Sequence, residues 1–229
     1  GPRRGEEETD FKDGASESVR NLGPIWFRPA NEMNGSWTPY YGDPQSYIKA
    51  WRRMYNIAEQ LGVTEYNVFV WSPNYASMPD KESNAMKKYY PGDIYVDWLG
   101  ISLYPPSLSD RFPEEQRYPY TSIQNILQIS DDKPVMGTEG GYAISSTATN
   151  CDCERWVTEW FGWKDRGPRL KALIWENHVS GTNGDRRIQK HVGALNIYRE
   201  KVADPYWLDK IPDEVYKEIE RRRNSADIG

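Results

Sequence analysis

Histidine and cysteine are nearly absent from this chain of 229 residues, with two of each. His178 and His191 fall in a late polar loop and an expected helix, so neither a Ser-His-Asp triad nor a histidine-rich metal centre is readily assembled from them. Cys151 and Cys153 stand in a Cys-Asp-Cys run with no matching pair elsewhere, a poor zinc site; no metal or other cofactor is expected. No apolar run reaches the roughly 18 residues of a membrane-spanning helix. Residues 1 to 22 lack the apolar region of a signal peptide and read as a polar, solvated lead-in of the kind that stays disordered. A net charge of -5 and a pI near 5.3 argue against nucleic acid and anionic membrane as partners. Phenylalanine is scarce too, 5 residues against 10 Trp and 16 Tyr. That is a bias towards rings with an apolar face and a polar edge, which a sugar-binding cleft needs and an ordinary aromatic core also accommodates.

What is present is organised around Gly23 to Trp37. An apolar run, Ile25 to Phe27, breaks into Arg28, Asn31, Glu32 and Asn34, as when a buried parallel strand delivers polar groups at its carboxyl end. Lys133 to Gly141 repeats the design, with apolar residues followed by Glu139 in a glycine-rich turn. Carboxylates on two strand ends are the minimum apparatus of a glycosidase. Strands are expected at Pro24–Arg28, Tyr66–Trp71, Val96–Tyr104, Pro134–Thr138 and Leu170–Trp175. Between them, Asp43-Pro44 opens a helix that Gly62 stops. Further helices hold Ile123 to Ile129, Trp156 to Phe161, and Ile188 to Tyr198 after a polar loop, His178 to Asp185. A last helix runs from Pro212 to Arg223. Strands alternating with helices argue for a parallel sheet and an α/β fold, and the length fits one domain.

Four segments in order carry a family resemblance: Arg-Pro-Ala-Asn-Glu-Met-Asn-Gly-Ser-Trp at 28 to 37, Trp-Ser-Pro-Asn at 71 to 74, Tyr-Tyr-Pro-Gly-Asp-Ile-Tyr-Val-Asp-Trp-Leu-Gly at 89 to 100, and Lys-Pro-Val-Met-Gly-Thr-Glu-Gly-Gly at 133 to 141. Over about residues 23 to 200 the chain resembles glycoside hydrolase family 26. The resemblance implies a (β/α)8 TIM barrel with the acid/base carboxylate at the end of the fourth strand and the nucleophile at the end of the seventh. The five expected strands then correspond to strands four to eight, and residues 23 to 229 to a partial barrel domain. Three more βα units would need on the order of 90 residues, which residues 1 to 22 do not supply.

The implied activity is retaining, endo-acting hydrolysis of a β-linked polysaccharide, most often mannan, by an extracellular enzyme whose partner is that polysaccharide or its oligosaccharides. Glu32 is then the acid/base, with Arg28, Asn31 and Asn34 suited to orienting it and the sugar 2-hydroxyl, and Glu139 is the nucleophile. By the same resemblance Tyr104 bonds the nucleophile and Trp175 floors the subsite of the scissile sugar. Trp37 would stack on a neighbouring sugar, and Trp71 is either cleft wall or core. Glu176 follows Trp175 and alternates to the other face, so it is expected to be structural. One position departs from the pattern: mannanases of the family commonly carry a histidine before the acid/base, and here stands Asn31. A carboxamide keeps a donor and an acceptor but does not titrate, which leaves β-1,3-1,4-glucan hydrolysis as the alternative within the family. A non-catalytic carbohydrate-binding incomplete barrel is the alternative outside enzymes.

Overall fold

The computed structural model describes residues 25–105, 120–143, 150–180 and 184–208, with Glu214 and Lys217. The lead-in 1 to 22 and all but two residues of the expected last helix lie outside them. Five strands, β1 (Ile25–Phe27), β2 (Asn67–Trp71), β3 (Trp98–Leu103), β4 (Val135–Gly140) and β5 (Leu170–Trp175), form one sheet in sequential order. Every neighbouring pair is parallel, as βα alternation requires. The helices are α1 (Pro44–Gln60), α2 (Tyr120–Leu127), α3 (Asn150–Arg166) and α4 (Val192–Val202). Asp43 caps α1 as its sequence predicts: its Oδ1 accepts the Ser46 amide at 3.0 Å, with Pro44 in the first turn. The polar loop after β5 contains a short antiparallel hairpin, β6 (Val179–Ser180) with β7 (Gly184–Asp185). The helix expected from Ile188 begins at Val192, after a 3₁₀ turn over Ile188–Lys190.

Side chains of odd number on β2 and β3 face the helices. Phe69 packs on Tyr55 of α1 with ring centroids 5.0 Å apart, and Leu99, Ile101 and Leu103 are fully buried in the core. On α3, Trp156, Trp160 and Trp163 form a buried indole cluster with centroids 5.0 to 6.0 Å apart. Removing each such ring from water contributes on the order of 2–3 kcal/mol. Gly140 exists for this packing: a Cβ there would stand 2.2 Å from the Trp160 ring and 2.6 Å from the Leu103 carbonyl oxygen.

Even-numbered positions face the other way. Ser72 and Thr138 share a hydrogen bond of 2.7 Å over Gly100, deep between strands. The sheet curls around this inner face. Arg28 follows β1 and Glu139 lies on β4, three strand spacings or about 14 Å apart in a flat sheet. Their side chains nevertheless meet at 2.7 Å. The result is a run of five parallel strands of a (β/α) barrel, with β1 and β5 as the edges of the described sheet.

Candidate active site

Glu139 reaches the inner face through an irregularity in β4. Thr138 already points inward, so strict alternation would turn Glu139 towards the helices. The register with β3 instead jumps, Ile101 pairing with Gly137 and Ser102 with Glu139. One extra residue on β4 thus places Thr138 and Glu139 on the same side, the re-aiming a β-bulge performs. Gly137 and Gly140, on either side, both back onto Trp160.

Three donors surround the Glu139 carboxylate. Arg28 Nη2 at 2.7 Å and Ser102 Oγ at 2.9 Å both donate to Oε1, and the Tyr104 hydroxyl stands 3.2 Å from Oε2. Burial pushes the Glu139 pKa up, but the Arg28 charge and hydrogen bond, then Ser102 and Tyr104, outweigh it and hold the group below the ordinary glutamate value. Glu139 is therefore an anion with one oxygen pinned and the other lightly held.

Glu32 sits in the turn after β1 with φ at +57°, a left-handed conformation unusual for a side chain of this size. Its amide donates to the Ser72 carbonyl at 2.8 Å and its carbonyl accepts from Gly35 at 2.9 Å, which fixes the turn. The carboxylate accepts the Asn74 side-chain amide on Oε1 at 2.9 Å and the Trp37 indole N–H on Oε2 at 2.6 Å. Trp37 folds back over Gly35, where any Cβ would stand 2.3 Å from its ring. Both donors to Glu32 are neutral, whereas Glu139 holds a guanidinium; the two carboxylates differ in kind.

Asn34, fully buried, clamps the loops after β1 and β2. Its Oδ1 accepts the Asn74 amide at 2.8 Å, and its Nδ2 donates to the Asn74 carbonyl at 2.9 Å and to Ser77 Oγ at 3.2 Å. It orients Asn74, which orients Glu32. Asn31 is half-buried, and its carbonyl takes the Tyr40 hydroxyl at 2.7 Å.

For Trp71 the structure decides between the two readings, and for Trp175 the expected substrate contact is corrected. Trp71 is fully buried with its ring 5.1 Å from that of Tyr90; it has the helix-side parity of Phe69 and is core, not cleft wall. Trp175 shares its parity with Leu173. It packs on Trp160 at 6.3 Å and on Tyr198 of α4 at 6.2 Å, and donates its indole N–H to the Arg186 carbonyl at 3.1 Å. It therefore stands outside the strands and does not floor a subsite. Alternation held, but the face was inverted: Glu176 is the residue on the inner side. Its Oε2 accepts the Tyr104 hydroxyl at 2.6 Å and is also bonded by Arg186. The sequence reading missed Asn74, Ser102, Glu176 and Arg186. Ser102 had a signal, since it stands two before Tyr104 on one strand face; Arg186 had none.

A model of glycosyl hydrolase family 26 matches residues 13–150. Endoglucanase H of Acetivibrio thermocellus is 26% identical over 191 residues, covering 78% of this chain and 20% of that protein. Mannan endo-1,4-beta-mannosidase A and B of Caldalkalibacillus mannanilyticus is 31% identical over 112 residues, 44% of this chain and 21% of that protein. Among solved structures, the catalytic domain of the Bacillus sp. JAMB-750 GH26 endo-beta-1,4-mannanase superposes with a TM-score of 0.62 at 21% identity, over 89% of this chain and 57% of that one. The chain thus spans about a fifth of the length of the two curated relatives and just over half of the solved domain. It shares the barrel fold of the latter. With the matched segment running through both carboxylates and over more than half of its length, this chain belongs to glycosyl hydrolase family 26.

Proposed function

We propose that this chain carries the catalytic pair of a retaining, endo-acting β-glycanase, with Glu32 as acid/base and Glu139 as nucleophile. The observation that carries the reading is the unequal footing of the two carboxylates around one inner face. Glu139 is anchored as an anion by Arg28 and Ser102 through Oε1, which leaves Oε2 to attack. Glu32, among the described residues, accepts instead from the neutral donors of Asn74 and Trp37.

In the first step Glu139 Oε2 bonds to the anomeric carbon as the glycosidic C–O bond breaks, and the departing oxygen takes the proton of Glu32. In the second, Glu32 withdraws a proton from water, whose oxygen displaces Glu139 from the glycosyl ester and restores both carboxyl groups. Retaining pairs work at about 5 to 5.5 Å. Trp37, 54% exposed beside Glu32, offers an aromatic face for a neighbouring sugar ring. Mannan is the first substrate class, in keeping with the names of the mannanase relative and of the solved domain. β-Glucan is the second, since Asn31 stands before Glu32 and one relative is named an endoglucanase.

The test assays the protein for reducing-sugar release on galactomannan, glucomannan and lichenan. Glu32→Ala and Glu139→Ala are each expected to lower kcat by orders of magnitude. Azide should rescue Glu139→Ala with an α-glycosyl azide as product. Undiminished turnover in either variant removes that residue from its role, and wild-type binding without hydrolysis of any substrate replaces the enzyme by a carbohydrate-binding barrel.

A further inference from the structure

Tyr104 has one hydroxyl proton and two carboxylates within reach. The distances are unequal, 2.6 Å to Glu176 Oε2 and 3.2 Å to Glu139 Oε2. Burial, the hydrogen bond to Glu176 and the charges of Glu139 and Glu176 all raise the Tyr104 pKa, so the phenol keeps its proton and donates it to one partner or shares it unequally. Glu176 is held in place to receive it. Arg186 bonds the same Oε2, and its guanidinium lies 4.3 Å from the centre of the Tyr104 ring; His178 Nδ1 stands 3.2 Å from Oε1. Arg186 is itself buried, and this ion pair is the fixed end of the arrangement.

We infer that Glu176 is a positioning residue of the candidate site: its carboxylate draws the Tyr104 hydroxyl proton away from Glu139 Oε2 and leaves that oxygen its full electron density for attack. This rests on the assignment of Glu139 as nucleophile. An anion whose attacking oxygen accepts a short hydrogen bond is a weaker nucleophile, because the bond is lost as charge moves to the anomeric carbon. Arg28 and Ser102 act differently, since they hold the other oxygen, Oε1. Among the described residues, the titratable and charged groups facing this cluster come from four places: Arg28 after β1, Glu139 on β4, Glu176 and His178 after β5, and Arg186 after β7.

The test is a ¹³C NMR titration of the glutamate carboxyl groups in the full-length protein, with Glu139 assigned by its loss in Glu139→Gln, so that the readout does not require turnover. In Glu176→Gln the Tyr104 proton turns to Glu139, whose titration midpoint falls. In a Tyr104→Phe background the same substitution produces a clearly smaller fall, because only the through-space loss of a charge remains. Tyr104→Phe alone, which leaves the Glu176–Arg186 pair intact, is expected to move Glu139 little. Equal shifts of Glu139 in both backgrounds, no shift at all, or a large rise in Tyr104→Phe alone would each overturn the inference. If the wild type is active, Glu176→Gln lowers kcat/KM about tenfold, the size of one hydrogen bond to a charged group. If the wild type cleaves nothing, the enzyme reading fails while the titration still decides where the proton lies.

Discussion

Replacing Asn34 by alanine tests how the site is held together. Asn34 is fully buried, and its carboxamide satisfies both the amide and the carbonyl of Asn74 and reaches Ser77. Truncation removes three hydrogen bonds and leaves two main-chain groups of buried Asn74 without these partners. Each unsatisfied group costs about 1–3 kcal/mol, and entry of water into the space left by the amide offsets part of this. The expected loss is about 2–5 kcal/mol, read as a lower midpoint of urea unfolding with the slope unchanged. Asn34→Asp keeps the acceptor for the Asn74 amide but sets a carboxylate against the Asn74 carbonyl, so it should destabilise as well. Because Asn74 donates to Glu32, either substitution should also reduce turnover at temperatures where the protein remains folded. A loss below about 1 kcal/mol in Asn34→Ala, comparable with an exposed site, would refute the idea that this clamp joins the two loops.

Glu139 has a folded-state pKa below the free value of 4.5. Its ionisation therefore stabilises the fold above that value, and the contribution is lost as pH falls through the folded pKa. Arg28→Met removes the main offset to burial and raises that pKa. The variant should lose about 1–3 kcal/mol at neutral pH, between the cost of an exposed and of a fully buried pair, with the gap from wild type closing as pH falls through the folded-state pKa of Glu139, which lies below 4.5. Unfolding midpoints measured across pH check this. Trp71→Phe and Trp175→Phe should lower thermal stability and leave KM unaltered, whereas Trp37→Ala should raise KM; a raised KM in the first two would return those rings to the cleft. Burial pushes the Cys153 thiol up to about 12. Mass spectrometry after alkylation at pH 8 should find it unmodified in the native protein and modified after denaturation.

The order of elements was legible in the sequence because it rests on local rules. The Asp43-Pro44 start of α1 and the apolar runs of β2 to β5 needed no knowledge of distant residues, and β5 was read to the residue as Leu170–Trp175. Glu32 and Glu139 stood out because polar groups follow apolar strands so abruptly. Which face a strand residue takes was a different matter. Alternation says that Trp175 and Glu176 point opposite ways, but only the packing of Trp160 and Tyr198 from two helices decides which of them goes outward. The bulge that turns Glu139 inward beside Thr138 comes from register with β3. The meeting of Arg28 with Glu139 and of Glu176 with Arg186 comes from curling of the sheet and from the hairpin after β5. Short-range preferences are written in each segment and survive in isolation; the sidedness of a strand and the partner of a buried charge are set by free energies shared among segments far apart in the chain, so they exist only once those segments have packed.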